Sequence, residues 1–200
     1  MLLYCRQKGS LIEIVGERGS GKTSILHMLC AVYTIENKRI LYIDCSGNFR
    51  PERIRDYLEE SHRFGNKEIT AHLKNISFVR IYEPENIAGL LKKTKLLNID
   101  CIVIDDLLIL FLNSHRSKIR FEVRKVVREM ALMALTKRIN VVFTNLLIHR
   151  VESENSQPFC YELFYNDLIR YVHVKALLQK SINSVIHCNI VYPKNNFLNS

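Results

Sequence analysis

Tryptophan is absent from this chain of 200 residues, and glycine (seven) and proline (four) are scarce. So little of either excludes a collagen-like or linker-like polymer. No apolar run approaches the roughly 20 residues that a membrane-spanning helix needs, which removes a bilayer from the expected partners. The six cysteines (Cys5, Cys30, Cys45, Cys101, Cys160 and Cys188) contain no C-x-x-C pair. Together with the seven histidines they show no metal-ligand spacing along the chain. Several lie inside apolar runs, where a free thiol packs as a small hydrophobe. With no signal peptide recognisable at the start, these features point to a reducing, intracellular compartment. Acidic residues are in deficit: 20 Asp and Glu face 29 Lys and Arg, a net charge of +9. That excess favours a polyanionic partner through counterion release, without identifying one.

What is present is ordinary globular chemistry, 48% hydrophobic and 24% charged, in a length that suits one domain over residues 1–200. Its most specific feature is Gly16-Glu17-Arg18-Gly19-Ser20-Gly21-Lys22-Thr23, which fits the phosphate-loop pattern G-x-x-x-x-G-K-[ST] without substitution. An apolar β-branched run, Leu11 to Val15, precedes it, and Ser24 to Cys30 follows with helical apolar spacing. Strand, loop and helix therefore stand in the order that the chemistry requires. Glycines let consecutive N–H groups turn toward a polyphosphate, and the helix N-terminus adds partial positive charge. Lys22 supplies a charge for the β- and γ-phosphates, and the Thr23 hydroxyl a ligand for Mg²⁺.

Further strand-like runs recur at even spacing: Arg39 to Asp44, Ile76 to Tyr82, Cys101 to Asp105 and Asn140 to Asn145. Between them the spacing predicts helices over Glu52 to Glu60, Pro84 to Leu97 and Ser117 to Lys137. Alternation of this kind predicts a parallel sheet with helices on both faces. Near the end, Leu168 to Leu178 and Ser184 to Tyr192 read as two strands of an antiparallel hairpin. The polar stretch Glu152 to Pro158 reads as a mobile loop.

Asp105 and Asp106 interrupt an apolar run from Cys101 to Leu112. A buried carboxylate needs a cation or other partner. At the carboxyl end of its strand, Asp105 faces the crevice where ligands of open parallel sheets bind, and holding Mg²⁺ through a water is its expected role. Asp106 has two readings, activation of water or the start of a turn.

Tyr42-Ile43-Asp44-Cys45-Ser46-Gly47-Asn48-Phe49-Arg50-Pro51-Glu52-Arg53 resembles the segment Y-I-D-T-E-G-T-F-R-P-E-R of archaeal RadA and eukaryotic RecA-type recombinases. Ile104 to Leu107 resembles their Walker B strand, and Val141 to Asn145 their V-V-x-T-N-Q strand. The similarity extends through a final hairpin and covers essentially the whole chain. It implies an α/β fold, a RecA-like P-loop NTPase core with a mostly parallel twisted sheet and a C-terminal antiparallel hairpin. It also implies ATP and Mg²⁺ as cofactors, with Gly16 to Thr23 and Ser24 cradling the phosphates and Lys22 assisting catalysis. Arg53 is expected against the adenine ring, where a planar guanidinium stacks well; its plain alternative is a surface arginine paired with a carboxylate of its own helix.

Two departures matter as much. Ser46 stands where the family places the glutamate that activates water, and Leu146 where it places a glutamine that senses the γ-phosphate. A hydroxyl is a poor base at neutral pH, so slow hydrolysis is expected unless Asp106 substitutes. Only about ten residues precede the first strand, from which autonomous filaments are not expected. The resemblance implies a paralogue of recombinases acting in repair by homologous recombination, gated by nucleotide. Its implied partners are single-stranded DNA, directly or not, and a recombinase or sister paralogue. Its implied place is the nucleus of a eukaryote or the cytoplasm of an archaeon. A DNA-stimulated ATPase is the first alternative, and a small-molecule phosphotransferase, which shares only the phosphate loop, the second. Of the two DNA loops of the family, the first opens onto Arg116, Lys118 and Arg120, read as phosphate contacts. Arg124 and Arg128 read as a solvated helix face. The second, His149 to Tyr165, has mixed charge and aromatic residues that stack on bases or pack on the domain.

Overall fold

Leu11–Gly16 (β1) is buried along its whole length, and its residues alternate between two cores. Leu11 belongs to one apolar layer, Ile12 and Ile14 to the other. A strand covered on both faces cannot afford a polar side, which is why the run is continuously apolar but for Glu13. The computed structural model describes residues 9–61, 63–112, 118–150, 159–181, 183 and 185–192, with backbone alone at Arg150 and Phe159. The strands β2 (Ile40–Asp44), β3 (Ile76–Arg80), β4 (Cys101–Asp105), β5 (Asn140–Arg150), β7 (Val174–Lys180) and β8 (Ile186–Tyr192) join β1 in the order β3-β2-β4-β5-β1-β7-β8. Every pair but the last is parallel; β7 and β8 form the antiparallel hairpin at one edge. A short strand, β6 (Phe159–Glu162), pairs antiparallel with the far end of β5.

The central strands β4, β5 and β1 end side by side, with Ile104 beside Phe143 and Ile14 beside Thr144. Helix α1 (Lys22–Ile35) covers one face, burying Leu26, Leu29 and Cys30 against Ile12, Ile14, Tyr42 and Val103. The long helix later in the chain, Ile119–Lys137, covers the other through Val123, Val127, Met130 and Ala134. Each such leucine or methionine contributes about 1.5–3 kcal/mol by leaving water. Between these come α2 (Pro51–Glu60), α3 (Asn66–Leu73), α4 (Pro84–Thr94) and a single turn, α5 (Ile109–Leu112), so that the long helix is α6; a further turn, α7 (Tyr165–Leu168), follows β6. Among the described residues no helix is long and apolar enough to cross a membrane.

The structure differs from expectation at three places. Leu168 does not open a strand; it closes α7, fully buried, and β7 begins only at Val174. A short apolar run carries no period that separates the two outcomes. Residues 66–73 fold as a helix whose first turn is held by Glu68 Oε2 accepting the Gly65 N–H at 2.8 Å. Strand β5 runs to Arg150, so part of the expected second loop is a β5–β6 strand pair. The stretch 152–158 lies outside the described residues.

Candidate nucleotide site

Where β1 gives way to α1, the chain turns through Gly19 at φ +75° and Gly21 at φ +92°, conformations that L side chains rarely adopt. Gly16 is required for space instead: a Cβ there would meet Ser20 Oγ at 2.5 Å and the Leu178 carbonyl oxygen at 2.8 Å. Lys22 Nζ donates to the carbonyls of Gly16 (2.9 Å) and Glu17 (2.8 Å), which lays the ammonium across the loop. Burial holds the Lys22 pKa below the ordinary lysine value, against the pull of Asp106 and Asp105.

The Thr23 hydroxyl donates to Asp105 Oδ2 at 2.8 Å, and the Thr144 hydroxyl to Asp105 Oδ1 at 2.9 Å. Tyr42 adds a longer donation to Oδ2 at 3.3 Å. Asp105 itself is fully buried. Burial, then the negative charge of Asp106, push its carboxyl up to about 6, with the Thr23 and Thr144 hydroxyls pulling down. Thr144 also accepts the Asp106 N–H at 2.7 Å. Asp106 sits at φ +55°, a strained position for a non-glycine residue. Burial raises its pKa too, opposed by Lys22 and by a hydrogen bond from Ser46.

The segment after β2 is organised by a different carboxylate. Asp44 Oδ1 accepts the N–H groups of Ser46 (3.0 Å), Gly47 (2.8 Å) and Asn48 (3.2 Å). Its Oδ2 accepts Phe49 N–H (3.2 Å) and the Arg80 guanidinium (2.9 Å). Burial presses the Asp44 pKa upward, but these donors outweigh it and hold the carboxyl below its usual range. Next, His27 Nε2 accepts the Arg50 N–H at 3.3 Å, just before α2.

These pieces enclose a cavity of about 750 Å³ whose lining includes Arg18, Lys22, Thr23, Ser46, Asp106 and Leu146. Gly19, Gly21 and Ser24 line it as well, while Asp105 lies beneath Thr23. Ser20 Oγ is buried without a hydrogen-bond partner. An orphaned hydroxyl in a glycine-walled loop, a lysine, and a threonine already paired with a carboxylate are together the donor set that a triphosphate with Mg²⁺ requires. The residues fit that group. Arg53 is exposed on the first turn of α2 and makes no ion pair among the described residues.

Of the expected DNA contacts, Arg116 lies outside the described residues. Lys118 is exposed at the start of α6. Arg120 Nε donates to Asp167 Oδ2 (2.8 Å) and Arg124 Nη1 to Asp167 Oδ1 (3.0 Å). Arg124 is therefore not part of a merely solvated face: it and Arg120 clamp α7, whose Asp167 is buried. Arg120 stays exposed enough to meet a second anion.

The sequence reading missed the groups that hold the site together. Thr144 and Tyr42 orient Asp105; both fall within the segments that carry the family resemblance, yet nothing in those segments marks them as partners of that carboxylate. A buried ion network joins Glu13, Lys175 and Glu162, with Lys175 Nζ 3.1 Å from Glu13 Oε2 and in contact with Glu162. Asn145 Nδ2 donates to Glu13 Oε1 at 2.7 Å, so β1, β5, β6 and β7 meet there. A glutamate inside the apolar run of β1 was the visible signal. Glu17, His149 and Cys160, which no spacing along the chain connects, converge in three dimensions.

The Rad51 family model matches residues 2–161. The "DNA repair protein RAD51 homolog B" of Zea mays is 27% identical over 161 residues, 73% of this chain and 46% of that protein. The "DNA repair protein RAD51 homolog 1" of Arabidopsis thaliana is 26% identical over the same shares. The "Meiotic recombination protein DMC1 homolog A" of Oryza sativa subsp. indica is 34% identical over 111 residues, 50% of this chain and 31% of that protein. The chain thus spans less than half the length of these relatives. With a RecA-like sheet order, an intact phosphate loop and this match, the chain belongs to the Rad51 family.

Proposed function

We propose that this chain, one ATPase core domain over residues 1–200, is an ATP-binding recombinase paralogue acting in DNA repair by homologous recombination. Nucleotide with Mg²⁺ binds in the cavity and gates assembly on single-stranded DNA or with a recombinase partner, and hydrolysis is slow. Gly16 to Ser24 hold the phosphates, Arg53 flanks the base, and Thr23 with Asp105 holds the metal. A nuclear site of action goes with this reading, since the plant relatives are named as DNA repair proteins.

The observation that carries it is the placement of Ser46. Asp44 holds both its N–H (3.0 Å) and its hydroxyl (3.4 Å), and the residue lines the cavity alongside Asp106, so this position offers no carboxylate of its own. Leu146, also in the lining, brings no polar group to a γ-phosphate. Binding elements are kept and two hydrolytic elements are lost. Asp106, held near Lys22 by the strained turn after β4, is the remaining carboxylate for activating water.

The test is ATP turnover with and without single-stranded DNA, measured beside nucleotide affinity. Tight binding with turnover unchanged by DNA is expected. Robust DNA-stimulated turnover that Asp106→Asn abolishes overturns the slow-hydrolysis reading in favour of a working recombinase-like ATPase.

A further inference from the structure

His149 on β5 and Cys160 on β6 are direct cross-strand partners, ten residues of intervening chain notwithstanding. Glu17, the second residue of the phosphate loop, reaches the same point from β1. His149 Nε2 lies 2.8 Å from Glu17 Oε1, while Cys160 Sγ lies 3.0 Å from Nδ1 and 3.5 Å from Nε2 of that ring. One donor atom from each residue falls within 4.8 Å of the other two, and all three side chains are exposed.

The chemistry of this set is selective. A thiolate and an imidazole suit Zn²⁺, whereas Mg²⁺ and Ca²⁺ take oxygen donors. Zinc bonds of about 2.0 to 2.3 Å put neighbouring corners of a tetrahedron roughly 3.3 to 3.8 Å apart. The separation of 3.5 Å between Nε2 and Sγ is already such an edge. Glu17 Oε1 approaches Nε2 whereas Cys160 Sγ lies nearer Nδ1, so a single ion meets all three once the exposed imidazole turns to present one nitrogen between the carboxylate and the thiolate. Strand pairing holds two of the donors in place before any ion arrives, which lowers the ordering cost.

We infer that Glu17, His149 and Cys160 form a Zn²⁺ site with a fourth position open to water, joining the phosphate loop to the β5–β6 strand pair. The site goes beyond the nucleotide reading and does not depend on it. Binding draws the Cys160 proton and, where present, the second imidazole proton into solvent, so occupancy rises with pH.

Cobalt reports such a site directly, because a thiolate bound to tetrahedral Co²⁺ gives a charge-transfer band and strong visible absorption. The full chain is titrated with Co²⁺ without nucleotide, then with Zn²⁺ as competitor. The expected result is one cobalt per chain with the thiolate band, bleached by one equivalent of zinc. Cys160→Ser abolishes the band, His149→Ala lowers affinity at least tenfold, and Cys188→Ser, which alters a half-buried thiol away from the site, leaves it intact. Circular dichroism of each variant confirms that it is folded. No thiolate band in the folded wild type overturns the site, as does a band that survives Cys160→Ser. A failed nucleotide titration leaves this result untouched.

Discussion

The Thr23 hydroxyl donates to Asp105 Oδ2 across 2.8 Å, which joins the phosphate loop to the strand-end carboxylate before any ligand is bound. Thr144 holds the other oxygen of the same carboxylate. Under the proposed function this preorganises the pair for a cation that contacts the threonine directly and the aspartate through water. Thr23→Ala should reduce ATP affinity about tenfold or more in the presence of Mg²⁺, on the scale of one lost charge-assisted contact. In chelator the two proteins should bind alike. Calorimetric titration under both conditions checks this, and an equal loss in both would confine Thr23 to the cradle.

His27 sets an acid limit. It is buried between Tyr42 and Phe49, and burial, with Arg53 nearby, pushes its pKa down to about 4 from 6.5. The unfolded chain binds this proton first, so the neutral ring contributes stability that is complete above pH 6.5 and lost as pH falls from 6.5 to about 4. The shift corresponds to about 3 kcal/mol. Asp105 acts in the opposite sense over part of that window, because its raised pKa favours the protonated native form. The difference between wild type and His27→Gln is therefore the quantity to follow. Urea unfolding at several pH values should show the variant losing less stability on acidification; parallel curves would contradict the assignment.

Lys175 lies between two carboxylates, and Glu13 opposite it is fully buried. Burial raises the Glu13 pKa while Lys175 and Asn145 pull it down. Lys175→Met strands both glutamates and should cost about 3–5 kcal/mol. The triple change Glu13→Gln, Lys175→Met, Glu162→Gln should recover much of that loss. Denaturant midpoints read both outcomes, and a lone Lys175→Met that unfolds like wild type would remove the network from the stability account.

Lys118, at the head of α6, makes no ion pair among the described residues, whereas Arg120 is already engaged with Asp167. If this end of α6 touches DNA phosphates, Lys118→Ala should lower the salt slope of single-strand binding by about 0.7 without altering unfolding. Arg120→Ala should lower both the slope and the melting temperature. Fluorescence anisotropy over a salt series separates them; an unchanged slope in both variants makes these residues surface charge alone.

The central sheet was legible because its strands are continuous apolar runs bounded by charge, and the phosphate loop because its glycines leave a fixed spelling. Asp105 was legible for the same reason, a carboxylate ending an apolar strand. What stayed hidden depends on pairing between distant segments. Thr144 acts only because β5 lies between β1 and β4. His149 faces Cys160 only because β5 extends past Asn145 and turns back as β6. Leu168 read as strand because an apolar residue beside Ile169 shows no period, yet it anchors a turn in the core. Arg124 read as solvated because its partner, Asp167, lies 43 residues on.

The proposed function requires that the loop around Lys22 binds ATP. The direct measurement is the affinity of the wild-type chain for ATP with Mg²⁺ beside that of Lys22→Ala. Loss of a buried charged donor should weaken binding by about 2–3 kcal/mol, roughly thirtyfold to 150-fold. Equal affinities in two folded proteins, or no binding by wild type, would contradict the account.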